Sequence, residues 1–316
     1  MTYHLINKSK IHSFTSMNAL HHGDTWAFSE GLAAVHQNDK WGFINREGRF
    51  AIQPRFLDVF GFSEGLAAVK IDKKYGYIDK NGNPVIAPKY DWAMPFSEGM
   101  ASVLLGSSTI IIDKQGNSLF TMADENADVN LFSDGLAVVA TDLKDGYINH
   151  EGKVVIEPQF DYAAPFVDGI AVVNIGEKWG FINTEGEYIL PLQFDQAESF
   201  SEGVAPVCQD GQWRFIDCHG ETVATLDNQY TTVFSLSEGR AIVEKAGKYG
   251  AVDKVGNLII DTRFDHLMNF SEGLAYARMG NTQGFITPTG TFDIQRPIPK
   301  RTLLDRLLGR KKFLEW

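Results

Sequence analysis

The 316-residue chain contains only two cysteines, Cys208 and Cys218. If residues 203–208 and 213–218 form a hairpin, the two thiols lie at opposite ends of its ladder, too far apart for a disulfide. Free thiols are typical of a reducing compartment, and no Cys/His spacing in the sequence indicates a metal site. The sequence therefore predicts neither a disulfide framework nor a bound metal.

Long apolar runs are also missing. No stretch of 18 apolar residues occurs, which excludes a membrane-spanning helix. Residues 1–8 lack a basic start followed by an apolar run, so we expect no secretory signal. Together with the free thiols, these absences predict a cytoplasmic protein.

Positive charge is scarce outside the C-terminal end of the chain. The formal net charge is −11, but residues 296–316 hold seven Lys or Arg against two Asp or Glu, a net +5, which leaves −16 for the rest. Binding to phosphate backbones needs clustered Lys and Arg. The acidic body therefore argues against nucleic acid as a ligand.

What the sequence does contain is a repeat. The segment Phe28–Val35 returns seven more times at spacings of 34 or 36 residues, starting at Phe62, Phe96, Phe132, Phe166, Phe200, Leu236 and Phe270. Thirteen positions after each start lie Trp41, Tyr75, Thr109, Asp145, Trp179, Trp213, Tyr249 and Gln283. Twenty positions after each start lies a glycine: Gly48, Gly82, Gly116, Gly152, Gly186, Gly220, Gly256 and Gly290. Eight copies in register identify a tandem-repeat protein.

Each copy predicts three short strands, as in 32–35, 41–45 and 49–52, with a possible irregular fourth. The glycine that follows Asn45-Arg46-Glu47 fits a turn that needs a positive φ. A unit of 34 residues cannot bury a core alone, so neighbouring units must stack. We predict an all-β fold of eight antiparallel repeats over 28–297.

Two closures of this array are compatible with the repeat. We favour a β-propeller with the small-residue strand 32–35 nearest the axis, and an open β-solenoid is the alternative. The strand-like fragment 11–17 would let the N-terminal segment 1–27 complete one blade together with the last strand, at 291–295.

The elements Phe-Ser-Glu-Gly-Leu-Ala, Lys-Trp-Gly-Phe-Ile-Asn and Asn/Asp-x-x-Gly resemble the bacterial WG repeat family. The Trp-Gly pair itself is intact only at Trp41-Gly42 and Trp179-Gly180, and repeats three, four and eight lose the aromatic. The resemblance implies a tandem β-repeat protein with an interaction role. It implies no reaction and no catalytic residues.

Every repeat also has an acid before its first glycine: Glu30, Glu64, Glu98, Asp134, Asp168, Glu202, Glu238 and Glu272. These carboxylates are either a ring that binds a cation or basic ligand, or turn acids that accept backbone N–H groups of their own or the next repeat. We favour the turn. The Trp/Tyr series likewise fits carbohydrate platforms or buried packing, and we favour packing because large aromatics dominate core energetics.

Candidate partner-binding residues lie where copies differ. Trp92, Tyr162 and His266 share one repeat position that elsewhere holds Asp58 and Gln196, a mixture that predicts exposure. The third repeat is the most altered, and its acidic exit loop holds Asp124, Glu125 and Asp128. A binding loop and simple drift of an unconstrained copy both fit this loop.

The segment 298–316 is basic and amphipathic. Four leucines fall on one helical face, and three basic residues follow them: Leu303, Leu304, Leu307, Leu308, Arg310, Lys311 and Lys312. The segment is either a cap on the last repeat or a helix that docks on a partner or on a membrane surface.

The function expected from these features is a non-catalytic scaffold that mediates protein–protein interaction. A carbohydrate- or cell-envelope-binding module is the alternative. No phosphate-binding loop, nucleophile elbow or nucleotide fingerprint occurs, so we expect no catalytic residues, no cofactor and no small-molecule ligand.

Overall fold

The computed structural model describes residues 27–124, 127–141 and 144–297. These residues form eight antiparallel sheets, each built from four strands that are consecutive in the sequence. We call the sheets blades 1 to 8. Within each blade we name the strands inner, second, third and outer, in chain order.

The four strands of each blade follow directly. Blades 1 to 4 contain β1 (Phe28–Ser29), β2 (Leu32–Gln37), β3 (Lys40–Ile44), β4 (Phe50–Phe56); β5 (Asp58–Val59), β6 (Ala67–Ile71), β7 (Lys74–Ile78), β8 (Pro84–Tyr90); β9 (Trp92–Ala93), β10 (Met100–Leu105), β11 (Ser108–Asp113), β12 (Ser118–Thr121); β13 (Asp128–Ser133), β14 (Leu136–Thr141), β15 (Lys144–Asn149), β16 (Val154–Phe160). Blades 5 to 8 contain β17 (Tyr162–Ala163), β18 (Ile170–Ile175), β19 (Lys178–Asn183), β20 (Tyr188–Phe194); β21 (Gln196–Ala197), β22 (Ala205–Gln209), β23 (Gln212–Ile216), β24 (Thr222–Thr225); β25 (Thr232–Ser237), β26 (Arg240–Lys245), β27 (Lys248–Val252), β28 (Leu258–Phe264); β29 (His266–Leu267), β30 (Ala275–Met279), β31 (Thr282–Ile286), β32 (Phe292–Pro297).

The array closes on itself. Ser271 Oγ in blade 8 donates a hydrogen bond to the Phe28 carbonyl in blade 1 at 2.6 Å, and the rings of Phe28 and Phe285 pack with centroids 4.8 Å apart. An open solenoid has no contact between its ends, so the propeller prediction is confirmed and the solenoid alternative is wrong. Blade 8 has four strands of its own; residues 1–26, which include the predicted closing strand, lie outside the described residues.

The two-residue strands lie towards the axis. Their turns contact each other from blade to blade, as when Ser29 Oγ donates to the Phe62 carbonyl at 2.5 Å and Ser63 Oγ to the Phe96 carbonyl at 2.6 Å. The outer strands are largely exposed. The small-residue strand β2 is therefore second from the axis, not nearest to it as predicted, because a short inner strand lies inside it.

The propeller has two faces, which we call lower and upper. The lower face carries the inner–second and third–outer turns, which meet where Lys80 Nζ lies 2.9 Å from a Glu30 carboxylate oxygen. The upper face carries the second–third turns and the blade-to-blade connections. These meet at Asp91, whose carboxylate contacts Lys74 Nζ at 2.5 Å and accepts the Gly106 N–H at 2.9 Å.

The repeated glycines and aromatics behave as predicted. All eight glycines from Gly48 to Gly290 have positive φ, between 72° and 88°. Trp41, Tyr75 and Trp213 are buried, whereas Trp179 and Tyr249 are half-buried. The burial of three of these five aromatics favours packing over carbohydrate platforms.

The cysteines also follow the predicted register. Cys208 pairs with Trp213 across the hairpin and is buried, whereas Cys218 is exposed, and both thiols are free. In the described part of the chain, no helix is long and apolar enough to cross a membrane.

Candidate functional site

Seven equivalent residues surround the axis at the upper face. Each is the first residue of an inner strand, where the chain enters a new blade; we call them the inner ring: Asp58, Trp92, Asp128, Tyr162, Gln196, Thr232 and His266. Gln196 is exposed and the other six are half-buried. Asp128, which the sequence placed only in an acidic loop, belongs to the same position as Trp92, Tyr162 and His266.

The aromatic members of the inner ring pack against other aromatic side chains. The Trp92 ring lies edge-on to Phe60 and Tyr75 of the preceding blade, with centroids 5.5 Å and 5.3 Å away. The Tyr162 ring is tilted against that of Trp179 in its own blade, with centroids 5.4 Å apart. Each ring therefore has one part fixed by packing and another part open to solvent, which makes it a rigid contact point.

His266 is held in a similar way. Its ring lies 6.3 Å from that of Tyr249 and 6.0 Å from that of Tyr276. Burial lowers the pKa of His266, and the positive charge of Arg278 lowers it further. His266 is therefore neutral at pH 7 and presents an aromatic surface there.

Two half-buried acids lie beside Tyr162. Asp145 occupies the position of the repeat tryptophan, and its carboxylate accepts the Ala163 N–H at 2.9 Å. Burial raises the pKa of Asp145 to about 6 and that of Glu198 to about 7. Burial and the negative charges of Glu198 and Asp145 together raise the pKa of Tyr162 to about 12.

These acids change protonation state near neutral pH, so this part of the inner ring can accept or release a proton when a charged group binds. Sequence reasoning missed both as functional candidates. The signal was available, because Asp145 replaces an aromatic and Glu198 stands where other blades have Phe60, Met94 or Ala164.

The remaining predicted residues are spread out. Asp124 is exposed in the connection that leaves blade 3. Glu125 and the segment 298–316, with its leucines and basic residues, lie outside the described residues. The structure thus places Trp92, Asp128, Tyr162 and His266 at one equivalent position in four blades, and Asp124 in the connection that leads to Asp128.

The repeated acids form a second ring, on the lower face. Seven of the eight carboxylates accept the N–H of the glycine in the next blade: Glu30 from Gly65, Glu64 from Gly99, Glu98 from Gly135, Asp134 from Gly169, Glu202 from Gly239, Glu238 from Gly273, and Glu272 from Gly31. These bonds link the blades, and the prediction of turn acids is confirmed.

Five of these acids also have a cationic group or histidine from the third–outer turn of the next blade. The groups are Lys80 beside Glu30, Lys114 beside Glu64, His150 beside Glu98, Lys254 at the Glu202 carbonyl, and Arg46 beside Glu272. The equivalent residues next to Asp134, Asp168 and Glu238 are Thr184, Cys218 and Pro288. The negative charge of the lower face is therefore neutralised at some junctions between blades and not at others.

No metal centre is found within residues 27–124, 127–141 and 144–297, because no three His, Cys, Asp or Glu side chains there come close enough to hold an ion.

The comparison with protein families matches the repeated part of the chain. The family model described as WG containing repeat matches residues 24–41, 41–75, 75–107, 146–179, 179–213, 213–249 and 249–282. A search of curated proteins finds no match.

Among solved structures, the chain is similar to a eukaryotic initiation factor at TM-score 0.56 and 10% identity, over 84% of this chain and 94% of that one. It also resembles Hsv2p of Kluyveromyces lactis, at TM-score 0.49 and 11% identity, over 72% and 91%. PorZ, a surface component of the type-IX secretion system of Porphyromonas gingivalis, matches at TM-score 0.45 and 11% identity, over 88% and 45%. At 10% identity the likeness to the initiation factor shows the fold alone.

Proposed function

The chain belongs to the WG repeat family, and from that premise we propose that it is a non-catalytic scaffold that binds a protein partner across the inner ring. Propellers present broad surfaces at their faces and at the mouth of the central channel. The proposal assigns partner contact to Trp92, Asp128, Tyr162 and His266.

One observation carries this proposal: the inner ring varies from copy to copy while its surroundings repeat. The residue after each ring position is small or apolar and buried, as with Val59, Ala93 and Ala163. Four residues beyond each ring position stands the repeat phenylalanine or leucine. Since the fold accepts Asp, Trp, Tyr, Gln, Thr or His at the ring, packing does not dictate the residue there. Variation on a constant frame is typical of a binding surface.

The chemistry of the ring indicates the kind of partner. Trp92, Tyr162 and His266 offer partly open aromatic surfaces, which bury large area with little loss of side-chain entropy. Asp58 and Asp128 add negative charge at the same mouth. A protein segment with apolar side chains next to Lys or Arg fits this mixture.

The test uses substitutions that the fold already accepts at the equivalent position. Trp92→Gln, Tyr162→Gln and His266→Gln each introduce the residue that blade 6 carries as Gln196. The full chain and the triple variant are used to capture partners from the native host, with quantification by mass spectrometry and cross-linking to locate the contact. We expect a partner that cross-links at the upper face and is lost from the triple variant.

The matched control is Val85→Ala, which introduces the residue of blade 1, Ala51, on the outer strand. This control should retain the partner. A partner that the triple variant retains, with melting temperature unchanged, would contradict the proposal. Capture of no partner above the background of an unrelated propeller would contradict it equally.

The alternative, a carbohydrate- or envelope-binding module, has less support. Sugar stacking needs an open aromatic face, whereas the repeated aromatics pack between blades. Binding of polysaccharide by the wild type and not by the triple variant would favour this alternative.

A further inference from the structure

A second surface lies on the lower face and rim of blades 5 and 6 and includes the turn of blade 4 that contacts blade 5. It consists of six acids, Asp134, Asp168, Glu185, Glu187, Asp217 and Glu221, together with the apolar side chains of Tyr188, Ile189 and Val223 on the outer strands. We call it the acidic–apolar surface. The three apolar side chains are 46%, 37% and 41% exposed, and they lie within the first two residues of β20 and β24, just after the acids of the turns.

The charge of this surface differs from that of the same region in the other blades. The third–outer turns of blades 1, 2, 3, 4 and 7 carry Arg46, Lys80, Lys114, Lys153 and Lys254 respectively, and the turn of blade 8, at 287–291, carries no charged residue. The turns of blades 5 and 6 carry only acids and His219, and in the described residues no Lys or Arg forms an ion pair with any of the six acids. The surface therefore has unneutralised negative charge beside exposed apolar area.

The chain itself contains a segment of matching chemistry. Residues 298–316 hold six Lys or Arg against two acids, a net +4, and their leucines at 303, 304, 307 and 308 fall on one predicted helical face. A basic amphipathic helix buries its leucines on apolar area and places its cations over acids. Charge and pattern are thus complementary to the acidic–apolar surface.

A helix that starts at residue 303 cannot lie on that surface of its own molecule. β32 starts at the lower face and ends with Pro297 at the upper face of blade 8, so a return to the lower face spans about 20 Å. Blade 6 is two blades away, with sheets spaced about 10 Å apart or more, which makes the path on the order of 28 Å. The five residues 298–302 span at most about 17 Å when fully extended.

We infer that the C-terminal segment of one copy of this chain docks on the acidic–apolar surface of a second copy. Each copy supplies one segment and one surface, so a reciprocal exchange closes a twofold dimer. The contact is small, so association should be weak and should fall with added salt. This inference is independent of the inner ring, which lies on the opposite face.

The test measures mass against concentration for the full chain by sedimentation and light scattering, up to about 100 µM, where weak contacts are populated. A surface variant carries Glu185→Lys, Glu187→Lys and Glu221→Lys. A segment variant carries Arg306→Glu, Arg310→Glu and Lys311→Glu. We expect the wild type to dimerise and each variant alone to be monomeric, with at least tenfold weaker association.

Two combinations of these variants test whether the C-terminal segment contacts the acidic–apolar surface. An equimolar mixture of the surface and segment variants retains one native pair and should form a mixed dimer. A chain that carries both sets of reversals restores opposite charges and should associate again. The control is Glu47→Lys with Glu151→Lys, at the positions equivalent to Glu185 in blades 1 and 4, which should dimerise like the wild type.

Three outcomes would overturn the inference: a wild type that is monomeric throughout, a surface variant that associates as the wild type does, or a mixture that stays monomeric. A monomeric wild type whose segment binds anionic vesicles would assign the segment to membranes instead. Circular dichroism and melting temperature establish that each variant is folded, and the inner-ring triple variant should dimerise normally.

Discussion

Blades 1, 2, 4, 5 and 7 have a bulged outer strand that blades 3 and 6 lack, and this difference bears on the glycine of the repeat. In blade 2 the partner of Tyr75 is Tyr90 and that of Tyr77 is Ile86, so the outer strand has two extra residues opposite Gly76. A Cβ on Gly76 would lie 2.4 Å from the Ile86 carbonyl oxygen. Blades 1, 4, 5 and 7 share this bulge and this glycine.

Blades 3 and 6 lack the bulge. Their outer strands have four residues instead of seven, and the register runs unbroken through the pairs Ile110–Thr121 and Arg214–Thr225. The position that is glycine elsewhere holds the bulky side chains of Ile110 and Arg214. In the five bulged blades the glycine thus leaves room for the strand that crosses it, and blades 3 and 6 are their controls. Blade 8 keeps a glycine, Gly284, although its register runs unbroken through Gly284–Gln295; there too a Cβ would lie too close, 2.0 Å from the Ile294 carbonyl oxygen.

The largest expected effect concerns the aromatic beside this glycine. Tyr75 is 1% exposed in a bulged blade, whereas blade 3 has only Thr109 at that position. We expect Tyr75→Ala to lower the free energy of unfolding by about 3–5 kcal/mol, as large core truncations do. Thr109→Ala should lower it by about 1 kcal/mol, because little volume is lost. Urea unfolding of both variants measures the two losses. If the free energy of unfolding fell by similar amounts, the bulged blade 2 and the unbulged blade 3 would not differ in how much this position contributes to stability.

The glycine itself gives the next effect. Gly76→Ala places a methyl group against backbone that cannot move without breaking the bulge, so we expect a loss of about 3 kcal/mol, at the upper end for overpacking. Arg214→Ala in blade 6 should change stability by less than about 1 kcal/mol, since no bulge crosses it. Thermal and urea unfolding of the pair test this; a tolerated Gly76→Ala would mean that the bulge is not the reason for the glycine.

The sequence predicted the regular parts of the fold better than the irregular parts. Eight copies in register led to the closed β array and to positive φ from Gly48 to Gly290. They did not reveal the inner strands, because a two-residue strand such as Trp92–Ala93 has no periodicity to detect. For the same reason β2 was placed too close to the axis.

The candidate site was only partly visible in the sequence. Trp92, Tyr162 and His266 stand at one offset, so comparison of copies found them. Asp128 follows a length change after repeat three, where counting loses register, and it was assigned to the loop with Asp124. Asp145 and Glu198 required knowledge of burial, which depends on the neighbouring blade.

The acids near Tyr162 predict a pH dependence that blade 2 lacks. Burial raises the pKa of Asp145 to about 6 and that of Glu198 to about 7, so the folded state binds these protons more tightly than the unfolded chain. Their contribution to stability is greatest near pH 4 and is lost as the pH rises through 6 and 7.

We therefore expect Asp145→Asn with Glu198→Gln to stabilise the protein at pH 8, by on the order of 2 kcal/mol, and to have little effect at pH 4. The amide introduced at position 145 would keep an oxygen that accepts the Ala163 N–H. Asp161→Asn is the control, because its pKa is held low by the Lys144 side chain and the Gly176 N–H; it should destabilise at pH 8. If the free energy of unfolding changed equally with pH in the wild type and the double variant between pH 5 and 8, the raised pKa values of Asp145 and Glu198 would be contradicted.

The smallest effect compares two junctions of the lower face. Glu64 accepts the Gly99 N–H at 3.0 Å, whereas among the described residues no such bond joins Asp168 to Gly203. Both acids have the same positive φ, near 53°, and Asp168 is shorter by one methylene. Asp134 is equally short and accepts the Gly169 N–H at 2.8 Å, so the length of the side chain alone does not decide whether the bond forms. Asp168→Glu should form the bond and stabilise by about 0.5 kcal/mol, the low end for a net hydrogen bond, because Glu tolerates positive φ less well than Asp. Glu64→Asp should shift the melting temperature the opposite way, since it shortens an acid that now reaches the next blade. If the two variants shifted the melting temperature in the same direction, backbone strain and not the length of the acidic side chain would determine the stability of these junctions.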